Sequence, residues 1–256
     1  MFKQVILLFC AVAVCSVSMA QVKKKIKKGR RNKSESQFML DENYFQAEWE
    51  VGQETLTDKL NTTVYPNLVM RYGINKQFEI NAEVSLLTAR DKSSQKKNTT
   101  GIEPVAIGAN YLLLSETAKR PAIIFSGQFA VPFLATKSFT ATYWAPALEL
   151  IVEKAVSQQV ILAASGGAFW DGFSTQASFI YNGNISYNLT KKWALTSEWF
   201  GFINGTPQHN TDLSITYTLN KSVQFGATAG AGLSAAAHKN YIAINGVWGC
   251  STKRKR

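Results

Sequence analysis

The residues best suited to chemistry are carboxylates that recur at even spacings in runs of alternating apolar and polar residues. Glu79 and Glu83 alternate with Ile80, Ala82 and Val84. In a β-strand this spacing places both carboxylates on one face and the apolar residues on the other. A row of carboxylates can attract cations and hydrogen-bond to polar solutes, which is the chemistry of a selectivity filter.

The same alternation in the other runs predicts a polar, mostly acidic face with Arg71 as its main mid-strand base. One interpretation is a pathway for cations or neutral polar solutes, with the carboxylates setting selectivity. The other is a barrel interior filled by Glu–Arg pairs and amides. The sequence leaves both open. The residues of this face are Glu48, Glu50, Arg71, Glu79, Glu83, Asn110, Gln128, Glu149, Glu153, Glu198 and Asp212.

Enzymatic chemistry has less support. Hydrolases of small membrane barrels need a nucleophile beside a His base and an orienting residue. His209 and His238 are the two histidines, and both fall in or beside predicted loops. His209 and Asp212 suggest a catalytic pair by residue type alone. We therefore predict that the chain is not an enzyme, with no catalytic residues, no cofactor and no bound metal.

The elements that position these residues are strands. The fold class predicted is all-β, an antiparallel up-and-down transmembrane β-barrel of about 12 strands. Most runs have about 11 to 14 residues, longer than the five to six of soluble strands and enough for a tilted crossing of a bilayer. They span approximately 44–54, 61–74, 78–90, 101–114, 121–132, 143–155, 159–170, 176–189, 193–204, 209–219, 223–234 and 239–249.

One hairpin design recurs three times. A Tyr precedes a Lys by four residues at 72–76, 187–191 and 217–221, and an alternating run follows each time. Asn and Thr suit these corners, since Asn tolerates positive φ and polar tips stay solvated. The connections after even-numbered strands are short, whereas several after odd-numbered strands are longer and polar. Short turns on one side and longer loops on the other are typical of outer-membrane barrels.

Aromatic residues flank the short turns. In a barrel they would lie at one level and form a girdle at the periplasmic interface, where amphipathic rings suit the headgroup region. Ordinary cross-strand aromatic pairing is the alternative. The predicted interface aromatics are Tyr72, Phe78, Tyr111, Tyr187, Trp193 and Tyr217.

The two ends differ from the body. Residues 1–20 have a positive start, an apolar core and a Ser-Met-Ala cleavage site, which predicts a signal peptide. We assign 21–40 to a basic periplasmic segment, 41–250 to the barrel and 251–256 to a basic tail. Of the 28 basic residues, 13 lie in the signal and tails, so 15 remain against 17 acidic residues. A nucleic-acid partner is not expected, because such proteins carry their basic residues on the folded surface.

A family resemblance supports this interpretation. The segment from Gly101 to Tyr111 resembles the Gly-x-x-(Asp/Pro)-x-x-(Ile/Leu)-Gly-x-x-Tyr strand of the MetA-pathway phenol-degradation, or transporter-like, outer-membrane family. Similar counterparts exist for Arg120-Pro121-Ala122, Gly127, Pro132, Trp199-Phe200-Gly201 and the Tyr-x-Leu-Asn-Lys turn. The resemblance implies a barrel of about twelve strands in a Gram-negative outer membrane and brings no catalytic residues.

The expected partners are outer-membrane lipid, the barrel-assembly machinery and an unidentified small solute. Many such barrels end on an aromatic residue that the machinery reads, whereas here Trp248 is followed by a polar and basic tail. The predicted function is a passive pore or transporter. The alternatives are a structural or surface-interaction barrel with a closed lumen and, third, a lipid-modifying enzyme.

Overall fold

The wall of the molecule is one continuous antiparallel sheet that closes on itself. The computed structural model describes residues 39–56, 60–91, 98–237 and 239–252. The strands are β1 Tyr44–Thr55, β2 Leu60–Gly73, β3 Phe78–Asp91, β4 Thr99–Ile102, β5 Val105–Leu114, β6 Ala122–Val131, β7 Ala145–Ala155, β8 Val160–Phe169, β9 Ser178–Asn188, β10 Trp193–Ile203, β11 Gln208–Thr218, β12 Val223–Gly232 and β13 Asn240–Ser251. Apart from β4 and β5, which both pair with β3, each strand pairs with its sequence neighbours, and the last strand pairs with the first.

Two of these segments form one interrupted strand. Both β4 and β5 pair with β3, and the break falls at Glu103 and Pro104. Proline cannot donate a ladder hydrogen bond, which explains the break. The free edge of β4 is covered by the β6–β7 connection, where Thr136 exchanges two hydrogen bonds of 2.9 Å with Ile102. The wall therefore has twelve strands, which confirms the predicted fold class and strand number.

The two faces of the sheet differ in polarity as the alternation predicts. On β9, Ser178, Asn182 and Asn184 are buried while Phe179 and Ile185 are exposed. The same inversion holds for most residues of the other strands, with large apolar side chains outside and polar side chains inside, whereas Ile124, Ile151 and Phe200 are buried on the inner face. A barrel in water would bury the apolar face, so this distribution is that of a barrel surrounded by lipid. In the described part of the chain no helix is long and apolar enough to cross a bilayer.

Side chains hold the short turns. The Asn75 carboxamide oxygen accepts the backbone N–H groups of Gln77 and Phe78 at 2.8 and 2.9 Å. Thr190 and Asn220 accept turn N–H groups in the same way. The expectation that turn asparagines use positive φ is wrong, because Asn43 is the non-glycine residue with positive φ among those described. The corners are stabilised by side-chain acceptors instead.

Candidate functional site

The interior of the barrel collects the residues of the predicted polar face. Strand register and burial place all eleven on the inside, and all eleven are buried or half-buried. They lie at two heights. Glu48, Arg71, Glu79, Asn110 and Glu153 lie near the short-turn end, and the other six lie about halfway along their strands. Arg71 is the only basic side chain on the inner face of the described strands.

A charged cluster fills the short-turn end of the interior. The Arg71 guanidinium donates to both oxygens of Glu79, from Nε at 2.7 Å and from Nη2 at 3.1 Å. Its Nη1 donates to Glu48 at 3.4 Å. Gln46 donates to Glu48 at 2.8 Å, and Asn110 donates to Glu79 at 3.2 Å. Glu79 is 0% exposed and Arg71 is 4% exposed, so these charges depend on one another for solvation.

The chain that precedes β1 turns back into the barrel and crosses this cluster. The left-handed Asn43 makes the reversal, with a φ of 56°. The Leu40 N–H donates to Glu79 at 2.7 Å. A Cβ at position 73 would collide with the Asp41 carbonyl oxygen, so this close approach requires Gly73. Residues 39–43, which we call the N-terminal plug, therefore lie inside the short-turn mouth.

The end of the plug occupies an apolar niche in the mostly polar interior. Met39 is 4% exposed and packs with Ile124 and Ile151, against which Leu112 also packs. Leu40 is 2% exposed. Sequence analysis missed these two residues and assigned them to the basic segment. The inward Ile124 and Ile151 were the available signal, since they break the polar alternation of β6 and β7.

Halfway up, the inner wall carries a belt of carboxylates and amides. Asn67 donates to Glu83 at 3.0 Å, and Ser165 donates to Glu149 at 3.2 Å. Asn182 donates to Glu198, and Tyr241, which lies across Gly230, donates to Asp212. We call this set the mid-barrel belt. Its residues are Glu50, Asn67, Glu83, Gln128, Glu149, Ser165, Asn182, Glu198, Asp212, Thr228 and Asn245.

The belt is open on one side and packed on the other. Glu50, Glu83, Gln128 and Glu149, on β1, β3, β6 and β7, are half-buried, so free space adjoins them. On the β9–β12 side the inward residues are almost fully buried. Several buried amide atoms, including Asn67 Oδ1, Asn245 Nδ2 and both polar atoms of Asn210, have no hydrogen-bond partner in the described part of the protein. Such groups require water or a polar solute.

The predicted interface aromatics lie at the short-turn end on the outer face. Phe78 pairs with Tyr111, and the Trp193 and Tyr217 rings are 4.7 Å apart. Phe45 and Trp248, 6.0 Å apart, extend this girdle and were not predicted. A second group lies at the other end, where Trp144 packs against Phe129 and Phe133. The two groups border an apolar outer band.

The histidine described does not form a catalytic arrangement. His209 lies on the outer face, where its Nδ1 hydrogen-bonds to the Tyr181 hydroxyl at 2.5 Å. Asp212 points inward, so the suggested pair lies on opposite faces of the sheet. His238 lies outside the described residues. No group of three or more His, Cys, Asp or Glu side chains in the described ranges is placed to hold a metal.

A closed antiparallel sheet with an apolar exterior, aromatic borders and a polar interior defines a transmembrane β-barrel of the outer-membrane type. The family model described as "Putative MetA-pathway of phenol degradation" matches residues 28–249. The chain belongs to this family, as the resemblance in the sequence indicates.

Solved structures show the same fold. An outer membrane channel from Pseudomonas putida has 12% sequence identity and a TM-score of 0.68, covering 83% of this chain and 97% of that one. The KdgM porin, solved with disordered oligogalacturonate, has 11% identity and a TM-score of 0.57, covering 79% and 98%. No curated protein matches the sequence.

Proposed function

We propose that the chain is a passive outer-membrane channel for small solutes that favours cations and neutral polar molecules. The observation that carries this proposal is the open side of the mid-barrel belt. Glu50, Glu83 and Glu149 are half-buried and face the interior at mid-height, and no described basic side chain on the inner face shares that level. A ring of acidic side chains at a narrow point favours cations over anions. The fold likeness to a channel and a porin supports the same class.

In the conformation described, we infer that the N-terminal plug closes the short-turn end of this path. Met39 and Leu40 cross the interior between Glu79 and the Ile124–Ile151 niche. Transport then requires the plug to move aside. The closing contacts include the buried side chains of Met39 and Leu40 and the hydrogen bond from the Leu40 N–H to Glu79.

A structural barrel with a permanently closed interior is the second candidate. The packed Arg71 cluster favours it, because Glu79, Gln46 and Glu153 are each 0% exposed. An enzyme is not proposed, since His209 hydrogen-bonds to a tyrosine on the lipid-facing side. Export by a signal peptide at residues 1–20 stays a prediction, and so do the positions of the basic residues in the two tails, because residues 1–38 and 253–256 lie outside the described residues.

Replacing carboxylates on the open side of the mid-barrel belt by amides tests whether the barrel is a channel. We expect the double change Glu83→Gln and Glu149→Gln to reduce the preference for K⁺ over Cl⁻ by several fold. Two carboxylates leave the path while both amides keep side-chain size and hydrogen bonding. The readout is the reversal potential of reconstituted protein in planar bilayers under a KCl gradient.

Glu116→Gln is the matched control. This carboxylate lies at the β5–β6 turn, paired with Lys154 at 3.4 Å and outside the barrel interior. It should leave the selectivity unchanged. Absence of any current from folded wild-type protein and from plug variants would favour the structural barrel. If the preference for K⁺ over Cl⁻ is the same in the double variant and in wild type, the belt carboxylates do not line the conducting path.

A further inference from the structure

The short-turn edge of the barrel carries an exposed basic rim. Its six cations lie in the β2–β3, β5–β6, β9–β10 and β11–β12 turns, and all are exposed. The ion pairs among the described residues involve Arg71 and Lys154, so none of the six is neutralised by a described carboxylate. The rim residues are Lys76, Lys119, Arg120, Lys191, Lys192 and Lys221.

The acidic residues nearby do not cancel this charge. Glu116 is paired with Lys154, which also donates to the backbone carbonyls of Ala118 and Arg120 at 3.2 and 3.3 Å. Asp41 and Glu42 belong to the N-terminal plug and are half-buried at the short-turn mouth. The outward surface of the rim is therefore positive.

Among the residues that the structure describes, the opposite edge lacks such an excess. Its described basic residues, Arg90, Lys137 and Lys239, are accompanied by Glu54, Glu103 and Asp171. Within the described residues, the rim therefore carries a larger excess of positive charge than the opposite edge. The opposite edge also provides basic side chains for a control.

The rim adjoins the aromatic girdle. Lys76 follows Tyr72 by four residues, and Lys192 immediately precedes Trp193. Lys192 Nζ lies 5.8 Å from the centre of the Tyr217 ring. Aromatic rings of this kind lie at headgroup level, so the ammonium groups extend into the phosphate layer.

Hydrogen bonds within the turns hold the backbone that carries the rim, and the rim side chains themselves remain exposed. Asn75, Thr190 and Asn220 cap the turns that bear Lys76, Lys191, Lys192 and Lys221. These caps fix the backbone positions of the four lysines in three turns of the short-turn edge. Cations spread along the edge in this way match a plane of phosphates better than they match one compact acidic ligand.

We propose that this basic rim binds the headgroups of anionic phospholipids in the leaflet that surrounds the short-turn end. Lys and Arg side chains near an anionic membrane surface are attracted to its headgroups. Lipid is the partner because the cations border the lipid-facing girdle, whereas a soluble acidic polymer has no need of that girdle. The proposal is independent of whether the barrel conducts.

The test compares lipids retained by the full folded protein. Purified protein is exchanged through mixed micelles with equal amounts of phosphatidylglycerol and phosphatidylcholine, and bound lipids are counted by native mass spectrometry. Wild-type protein should retain several times more phosphatidylglycerol. In the variant with Lys76, Lys191, Lys192 and Lys221 all changed to Gln, the ratio should fall to less than half of the wild-type value. High salt should lower the ratio in wild type.

The control changes Arg90, Lys137 and Lys239 to Gln on the opposite edge and should keep the wild-type ratio. Both variants are first checked for the gel shift of a folded barrel, so a folding defect is recognised separately. A wild-type ratio near one, or equal loss in rim and control variants, would overturn the proposal. So would dextran sulfate binding that depends on the rim without any lipid preference.

Discussion

Replacing Met39 and Leu40 together by aspartate is expected to raise the time-averaged conductance of the reconstituted barrel by more than tenfold. Burial of a Met or Leu side chain contributes about 1.5–3 kcal/mol. An aspartate in the Ile124–Ile151 niche loses this stabilisation, because a charged group is unfavourable among apolar side chains. It would also lie near the Glu79 carboxylate. Since about 1.4 kcal/mol changes an equilibrium tenfold, losing even one of the two contacts shifts the plug strongly toward the displaced state.

The matched control is Met39→Leu, which keeps an apolar side chain of similar volume and should leave the conductance near the wild-type level. Both proteins are recorded in the same planar bilayers at equal protein density. Gel migration with and without heating establishes that each barrel is folded. If the folded aspartate variant conducts no more than wild type, the plug does not close the path.

Arg71→Met is expected to lower the free energy of unfolding by about 3–5 kcal/mol, the typical cost of breaking a buried ion pair from one side. Glu79 and Glu48 would lose the guanidinium that donates to them and would stay buried. Lysine is a poor replacement, because one ammonium cannot reproduce the two-pronged contact with Glu79. The measurement is the urea midpoint of the barrel in lipid vesicles.

Two further variants distinguish the loss of the Arg71 charge from a change in packing as the cause of the lower stability. Arg71→Met combined with Glu79→Gln removes one of the stranded charges and should recover part of the loss, giving a clear coupling energy. Met70→Leu changes the neighbouring residue, which is 43% exposed on the lipid side, and should be close to neutral. Equal losses for Arg71→Met and Met70→Leu would contradict the role of the cluster.

Much of this architecture was predictable because a transmembrane strand repeats with period two. Glu79 and Glu83 alternate with Ile80 and Ala82, and the structure places these sets on opposite faces. The recurring segment with Tyr four residues before Lys predicted where the short turns lie. The side chains that cap these turns belong to the turns themselves. Even so, the turn mechanism differed, because asparagine acts through its side-chain oxygen and not through its backbone.

The partners of Arg71 and the plug could not be predicted from the sequence. Pairing Arg71 with Glu79 and Glu48 depends on the register of three strands, and β2 contains a bulge between Val64 and Asn67. Met39 reaches Ile124 and Ile151 across a long stretch of chain, with no repeat to mark the contact. Sequence alternation therefore defines the faces of a strand, whereas long-range packing decides which part of the interior is closed.

The most direct test of the account is whether a polar path runs from the short-turn face to the mid-barrel belt behind the plug. A single thiol is placed in the belt by the change Gln128→Cys in a Cys250→Ser background. A membrane-impermeant maleimide is added to proteoliposomes on the face that labels Lys221→Cys. We predict no labelling of the belt thiol with the intact plug and rapid labelling once Met39 and Leu40 are changed to aspartate. An unreactive belt thiol in both proteins, or equal reaction in both, would contradict the account.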